Sequence, residues 1–382
     1  MKRIGWITVA FVMLGMMLAQ PAAAVDLDIK GKSAVLMDVA TGTVLYEKNA
    51  HEPLAPASVT KVMTMLLIME AIDAGKIGWD DTVTASETAA AKGGSQIYLK
   101  VGETMSVSDM VKSIAVSSAN DCACAMAELL AGSESAFVDM MNTRAKELGM
   151  NDTNFVNCTG LDDGPEATQH RTSAYDIAVM SRELLKNHPD IKKFTTIWMD
   201  TVRNGTFGLS NTNKMVRFYS GATGLKTGFT SGAGYCLSAS AQREGMELIA
   251  VVMGSETSAN RFNGCKAMLD YGFANFALVT ADTEAEMEVP VKLGKETTVA
   301  LEPGIEPQIL IDKSQKSSVT TQVNLETAVT APVSRGQRLG MLTVKAGEQV
   351  LAQVPLVAKR GVERLTWADL FVKIFRQVAM AK

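Results

Sequence analysis

The stretch "APASVTKVMTML", Ala55 to Leu66, sets a serine at the mouth of an apolar run and a lysine one helical turn further in. From Lys61 onward, "KVMTMLLIMEAIDAG" has a helical pattern and is almost wholly apolar. An amine is out of place there, because a buried ammonium must be stripped of water. Ser58 and Lys61 are spaced i, i+3, so in a helix they share a face and can touch. A serine hydroxyl becomes a nucleophile when a base stands beside it, and a neutral lysine amine can be that base. Holding Lys61 neutral at pH 7 requires roughly 4–5 kcal/mol of perturbation from an ordinary pKa near 10.4. Desolvation by Val62, Met63 and Leu66, the helix dipole and a second cation all push that way. Alone the pair is a weak signal, since Ser-x-x-Lys arises by chance about once or twice in a chain this long. Ser58 would then be an N-cap and Lys61 a snorkelling surface lysine.

Outward from this stretch, "SAVLMDVATGTVLYEKN" alternates apolar and polar residues about a turn at Ala40-Thr41-Gly42, the pattern of a β-hairpin. From Ser58 to about Asn187 the pattern is helical. Strands return near Lys226 with "GYCLSASA" and "MELIAVVMGS", followed by the helix-like "NRFNGCKAMLDYGFANF". That order predicts one domain of strands and helices whose sheet joins early and late segments. Beyond "LVTADTEAEMEV", short β-type runs split by Gly, Pro and charged turns predict a small all-β module of about 80 residues. The final "VERLTWADLFVKIFRQVAMAK" spaces Trp367, Leu370, Phe371, Ile374, Phe375 and Val378 for one helical face. With Arg364, Asp369, Lys373, Arg376 and Gln377 elsewhere around it, such a helix cannot span a bilayer and suits the membrane interface, with docking on the β module as the alternative.

The first residues carry Lys2 and Arg3, an apolar run from Ile4 to Leu18, and Ala22-x-Ala24, which reads as a signal peptide cleaved before Val25. A net charge of −4 offers no basic field for a polyanion, so nucleic acid is set aside. Five cysteines, an odd number without a CxxC pair, read as small buried thiols, and no metal-ligand spacing is present. The domains expected are a signal peptide (1–24), a catalytic domain (25–280), a β-sandwich-like domain (281–360) and an amphipathic helix (361–382).

Two further motifs follow the first: Ser118-Ala119-Asn120 opens a helix and Lys226-Thr227-Gly228 enters a late strand. Ser-x-Asn is cheap, and Ser258-Ala259-Asn260 repeats it, but Lys-Thr-Gly is expected by chance only about 0.1 times. Their order is that of penicillin-recognising serine enzymes. The chain thus resembles the D-alanyl-D-alanine carboxypeptidases, the low-molecular-mass penicillin-binding proteins, over nearly its whole length. The resemblance implies an α+β, β-lactamase/transpeptidase-like catalytic domain: a five-stranded antiparallel sheet flanked by helices, a helical lobe, and the site in the cleft between them.

It also implies roles. Ser58 would be acylated with Lys61 as base. Ser118 would relay protons to the leaving amine, and Asn120 would hold Lys61 and the substrate amide. Lys226 would add the second cation and, with Thr227, bind the substrate carboxylate. The N–H groups of Ser58 and Phe229 would form the oxyanion hole, and Gly228 would let the strand approach the substrate backbone. Arg261 stands where relatives often have a carboxylate-binding arginine, although a surface arginine fits nearly as well. Ala119 replaces a common glycine, and His170 reads as structural, since no histidine triad can be assembled. The implied function is removal of the terminal D-alanine from peptidoglycan pentapeptide stems, without metal or cofactor, with β-lactams as inhibitors. The enzyme would be exported and held peripherally at the outer face of the cytoplasmic membrane. A β-lactamase, or a transpeptidase or endopeptidase on crosslinked stems, is the alternative; "LDDGPEATQH" lacks the Glu-x-x-x-Asn pattern of the commonest lactamases.

Overall fold

The hairpin read around Gly42 is formed by β1 (Ser33–Asp38) and β2 (Val44–Lys48). Asp38 holds its turn: Oδ2 accepts from the Thr41 N–H and hydroxyl, both at 2.7 Å, and Gly42 takes the left-handed φ of +76°. The computed structural model describes residues 26–164, 166–281, 287–306 and 308–380. The signal-peptide reading therefore lies outside the described residues.

Three late strands, β3 (Ala222–Thr230), β4 (Gly234–Arg243) and β5 (Met246–Ser255), complete an antiparallel sheet in the order β2-β1-β5-β4-β3. Joining β1 to β5 ties the start of the domain to its end, with Val35 opposite Val251. Strand β5 is an almost unbroken apolar run because both of its faces are covered.

Between the two groups of strands lie α1 (Lys61–Asp73), α2 (Val107–Ser117), α3 (Asn120–Ala131), α4 (Glu134–Glu147) and α5 (Ala174–Asn187). Helix α1 is apolar on every side because α3, α5 and α2 surround it; Val62 to Met69 are all buried. Val35, Met37, Ile249 and Val251 face this helical lobe through α5. Ala34, Leu36, Leu248 and Ala250 face the opposite way, onto Cys265, Met268 and Leu269 of α6 (Ser258–Asn275). The period of two along β1 thus divides two cores, and the strand is buried on both faces in place of the apolar–polar alternation expected of it, because helices cover the sheet on either side.

After α6 the chain enters a C-terminal all-β domain. Phe276–Thr280 pairs antiparallel with Gln308–Asp312, and a six-stranded sheet packs Val289, Val299, Leu342, Val344, Val354 and Leu356 together. The terminal helix α7 (Trp367–Met380) starts at a capping box, in which Thr366 Oγ1 accepts from the Asp369 N–H and Asp369 Oδ2 accepts from the Thr366 N–H. Among the described residues no helix is long and apolar enough to cross a membrane. All five cysteines are free and buried.

Candidate active site

Ser58 sits in a short 3-10 turn, Ala57–Thr60, that runs directly into α1. Ala57 adopts φ +48°, a left-handed conformation that costs a side-chain-bearing residue about 1–2 kcal/mol. Its carbonyl is held by the Thr60 hydroxyl at 2.8 Å. Gly160 lies against the same carbonyl so closely that a Cβ there would be 1.8 Å from the Ala57 oxygen. The Ser58 N–H belongs to the first turn, where no preceding helical carbonyl can accept it.

Lys61 is fully buried, and its Nζ lies 2.9 Å from Ser58 Oγ, 2.9 Å from the Thr159 carbonyl and 3.5 Å from Ser118 Oγ. Burial lowers its pKa to about 7, against the opposing pull of Cys158 and Asp121. A neutral amine has two N–H groups and one lone pair. Those three features match the Thr159 carbonyl, the Ser118 hydroxyl and an incoming Ser58 O–H.

Ser118 closes α2 in the left-handed conformation, φ +64°, and after Ala119 a new helix begins at Asn120. This break aims the second motif into the cleft while Asp121 anchors it from within: the Asp121 carboxylate accepts the N–H groups of Ile97 and Leu99. The Asn120 N–H donates to Ser95 O and its Nδ2 to Gly93 O, both at 2.7 Å. Asn120 does not hold Lys61 as expected. Its amide is committed to the loop carbonyl at Gly93, its Oδ1 is buried and unpaired, and the Thr159 carbonyl takes the place at Lys61.

The third motif lies on β3, one of the two edge strands of the sheet, the other being β2. Lys226 is buried and donates to Thr227 O at 2.9 Å; burial first, then Lys61 and Arg261, push its pKa well below the ordinary lysine value. Thr227 Oγ1 bonds Thr212 Oγ1 at 2.7 Å. Gly228 is required by the Ala57–Thr60 turn itself, since a Cβ there would stand 2.6 Å from Pro56 O and 3.1 Å from Ser58 N. Phe229 follows with a half-exposed ring stacked on Tyr235 at 4.2 Å.

Arg261 is neither a surface arginine nor a fork open to the cleft. It is buried, and its Nη1 donates to Gly228 O at 2.7 Å and Cys236 O at 3.2 Å, between the rings of Tyr235 and Phe262. It braces β3 and places positive charge near Lys226.

The three motifs come together as their order implies. Thr159, Thr212 and the Gly93–Ser95 segment were not legible as site residues, because they contribute backbone carbonyls or support another side chain. A trace existed for Thr159: Asn157 Oδ1 accepts the N–H groups of Thr159 and Gly160, an Asn-initiated turn ending in glycine.

Residues 18–257 match the family described as D-alanyl-D-alanine carboxypeptidase, and residues 273–364 match the penicillin-binding protein 5, C-terminal domain. The chain is 44% identical over 345 residues to D-alanyl-D-alanine carboxypeptidase DacF of Bacillus subtilis (strain 168), covering 89% of this chain and 87% of the relative. It is 34% identical over 351 residues to DacC of Escherichia coli (strain K12), covering 88% and 85%. Penicillin binding protein 5 from Haemophilus influenzae superposes with a TM-score of 0.75 at 31% identity, over 88% of this chain and 98% of that one. Penicillin-Binding Protein D2 from Listeria monocytogenes, in its ampicillin-bound form, superposes at 0.57 with 31% identity, over 65% and 100%.

Proposed function

Because the chain belongs to the D-alanyl-D-alanine carboxypeptidase family and is a serine-type carboxypeptidase, we propose that Ser58 is its nucleophile and Lys61 the general base. The observation that carries this assignment is the buried amine 2.9 Å from a serine hydroxyl, with its pKa brought down to about 7. Ser58 Oγ attacks the carbonyl between the two terminal D-alanines and its proton passes to Lys61. The negative oxygen that forms faces the N–H groups of Ser58 and Phe229; losing one such donor costs about 3–4 kcal/mol. Lys61 returns the proton through Ser118 to the departing amine, the C–N bond breaks, and D-alanine leaves. Water, activated by the same amine, then hydrolyses the Ser58 ester.

Lys226 and Thr227 receive the terminal carboxylate. The cluster of Lys226, Lys61 and Arg261 is buried, and an anion offsets the desolvation, and then the repulsion from Lys61 and Arg261, that depress the pKa of Lys226. Asn120 contributes its unpaired Oδ1 and the second hydrogen of Nδ2 to the substrate amide. The free edge of β3 lets an extended stem peptide lie alongside as an added strand.

The substrates are peptidoglycan stem peptides, met outside the cytoplasm, and β-lactams enter as mimics that acylate Ser58. The terminal helix lies in the membrane interface: Trp367 is 89% exposed and Phe371 and Phe375 are also uncovered, although docking on the β domain would have buried them. The test is peptide mapping after benzylpenicillin together with D-alanine release from a D-Ala-D-Ala peptide. Catalytic release and a Ser58 adduct at about one equivalent support the reading; an adduct on Ser118, or rapid repeated penicillin turnover with negligible D-alanine, overturns it.

A further inference from the structure

His170 is buried, 110 residues away in sequence from the nucleophile turn, and touches none of the three motifs' functional groups. Its ring nonetheless ends at that turn. The Val156 N–H donates to Nδ1 at 3.1 Å, so Nδ1 carries no proton and the neutral ring holds its hydrogen on Nε2. Nε2 lies 2.8 Å from Thr60 Oγ1, and the Thr60 hydroxyl lies 2.8 Å from the Ala57 carbonyl. The hydrogen bonds can therefore run in one direction only, from Val156 N–H into the ring, from Nε2–H to Thr60, and from the Thr60 hydroxyl to Ala57 O.

We propose that His170 is a positioning residue for acylation, which acts through Thr60 to hold Ala57 in its left-handed conformation and so aims the Ser58 hydroxyl at the substrate carbonyl. The need for such a device is local. Ala57 has a side chain in a region that favours glycine, and its peptide precedes the nucleophile. Glycine at 57 would relieve the conformation but free the turn to move. Gly160 presses on the carbonyl from one side and Gly228 packs against Pro56 O and the Ala57 Cβ. Those contacts restrict volume; the Thr60 hydroxyl supplies the directional restraint. The Thr60 oxygen must accept in order to leave its own hydrogen for Ala57, and a donor buried with it is what fixes that orientation. The Phe155 ring, edge-on at 5.7 Å, fixes the imidazole plane. This role rests on Ser58 being the nucleophile.

Two amide replacements separate the arms of the ring. Glutamine sets its Nε2 near the imidazole Nε2 and can still donate to Thr60; asparagine sets its Oδ1 near Nδ1 and can still accept from Val156, but cannot reach Thr60. The full chain carrying His170→Gln, His170→Asn, Thr60→Ser and Thr60→Val is mixed with benzylpenicillin, and the acylation rate, the adduct's position and the melting temperature are recorded; kcat and KM are measured on a D-Ala-D-Ala peptide. We expect His170→Asn and Thr60→Val to acylate about 10–100-fold more slowly with KM within about twofold, and His170→Gln and Thr60→Ser to stay within about threefold of the parent. A wild-type adduct away from Ser58 sinks the nucleophile assignment itself. An adduct on Ser58 in all variants, with His170→Asn and Thr60→Val acylating at the parental rate, overturns the positioning role. So does a loss that follows melting temperature across the four variants, including any that fail to fold, instead of following the donor to Thr60.

Discussion

In the cleft the buried side chains include Lys61, Ser118, Asn120, Asp121 and Lys226; in the C-terminal β domain they are Val, Leu, Ile, Met and Ala, with Thr343 the polar exception among the described residues. The second arrangement is what burial of apolar area favours. The first opposes it, since an amine out of water must lose its charge or find partners. The comparison shows where this chain holds stability and where it holds chemistry. Among the described residues Lys61 has no carboxylate hydrogen-bonded to it and meets two hydroxyls and a carbonyl, so its proton is weakly held. A carboxylate in place of the Thr159 carbonyl would make a firmer ion pair and a poorer base.

The largest effect that tests this contrast is on turnover. Ser58→Ala should lower D-alanine release to background and abolish penicillin labelling, measured by release assay and intact mass. Lys61→Arg should be nearly as inactive, because a guanidinium keeps its proton throughout this range. In the parent protein the acylation rate should rise with pH through about 7 and level off above it, as the amine loses its proton.

The next effect is on stability and has the opposite sign. Lys61 has a folded pKa of about 7 against an ordinary 10.5, so between those values the unfolded chain binds more protons. Stability therefore falls as pH drops from about 10.5 to about 7, by about 5 kcal/mol in all. Lys61→Met should be inactive yet more stable than the parent near pH 7, with the gap shrinking towards pH 10 in denaturant titrations. A less stable Lys61→Met at pH 7 would mean that the lost hydrogen bonds outweigh desolvation.

A smaller acid effect should come from His170, whose pKa burial lowers to about 4, with Arg171 adding repulsion. Its neutral form is favoured in the fold, so stability is lost as pH falls from 6.5 towards 4, by about 3 kcal/mol. Urea titrations across that window should show this slope in the parent and a reduced one in His170→Gln.

The smallest effect on catalysis should follow removal of 367–382. Val362 is buried and its N–H bonds Val333 O, and the Leu365 N–H bonds Leu293 O, so a cut at Val362 would damage the β domain whereas one after Thr366 spares it. The shortened protein should keep its kcat/KM on a soluble peptide and leave the membrane fraction. Continued pelleting with membranes would place the attachment elsewhere.

The sequence alone was sufficient for whatever depends on local periodicity. The hairpin at Gly42, the apolar helix after Ser58 and the amphipathic terminal helix all follow from side chains spaced at two or 3.6 residues, whereas the burial of both faces of β1 against two cores does not. The three motifs were legible because their chemistry lies in side chains at fixed short spacings. Tertiary structure decided what joins distant segments. It took Asn120 from Lys61 and gave it to Gly93, supplied the Thr159 carbonyl in its stead, turned Arg261 from a carboxylate ligand into a brace for β3, and ran His170 through Thr60 to the Ala57 carbonyl. Backbone carbonyls carry no residue-specific mark, and every residue has one. Which of them reaches a buried donor is fixed only when helices and strands from opposite ends of the chain pack together.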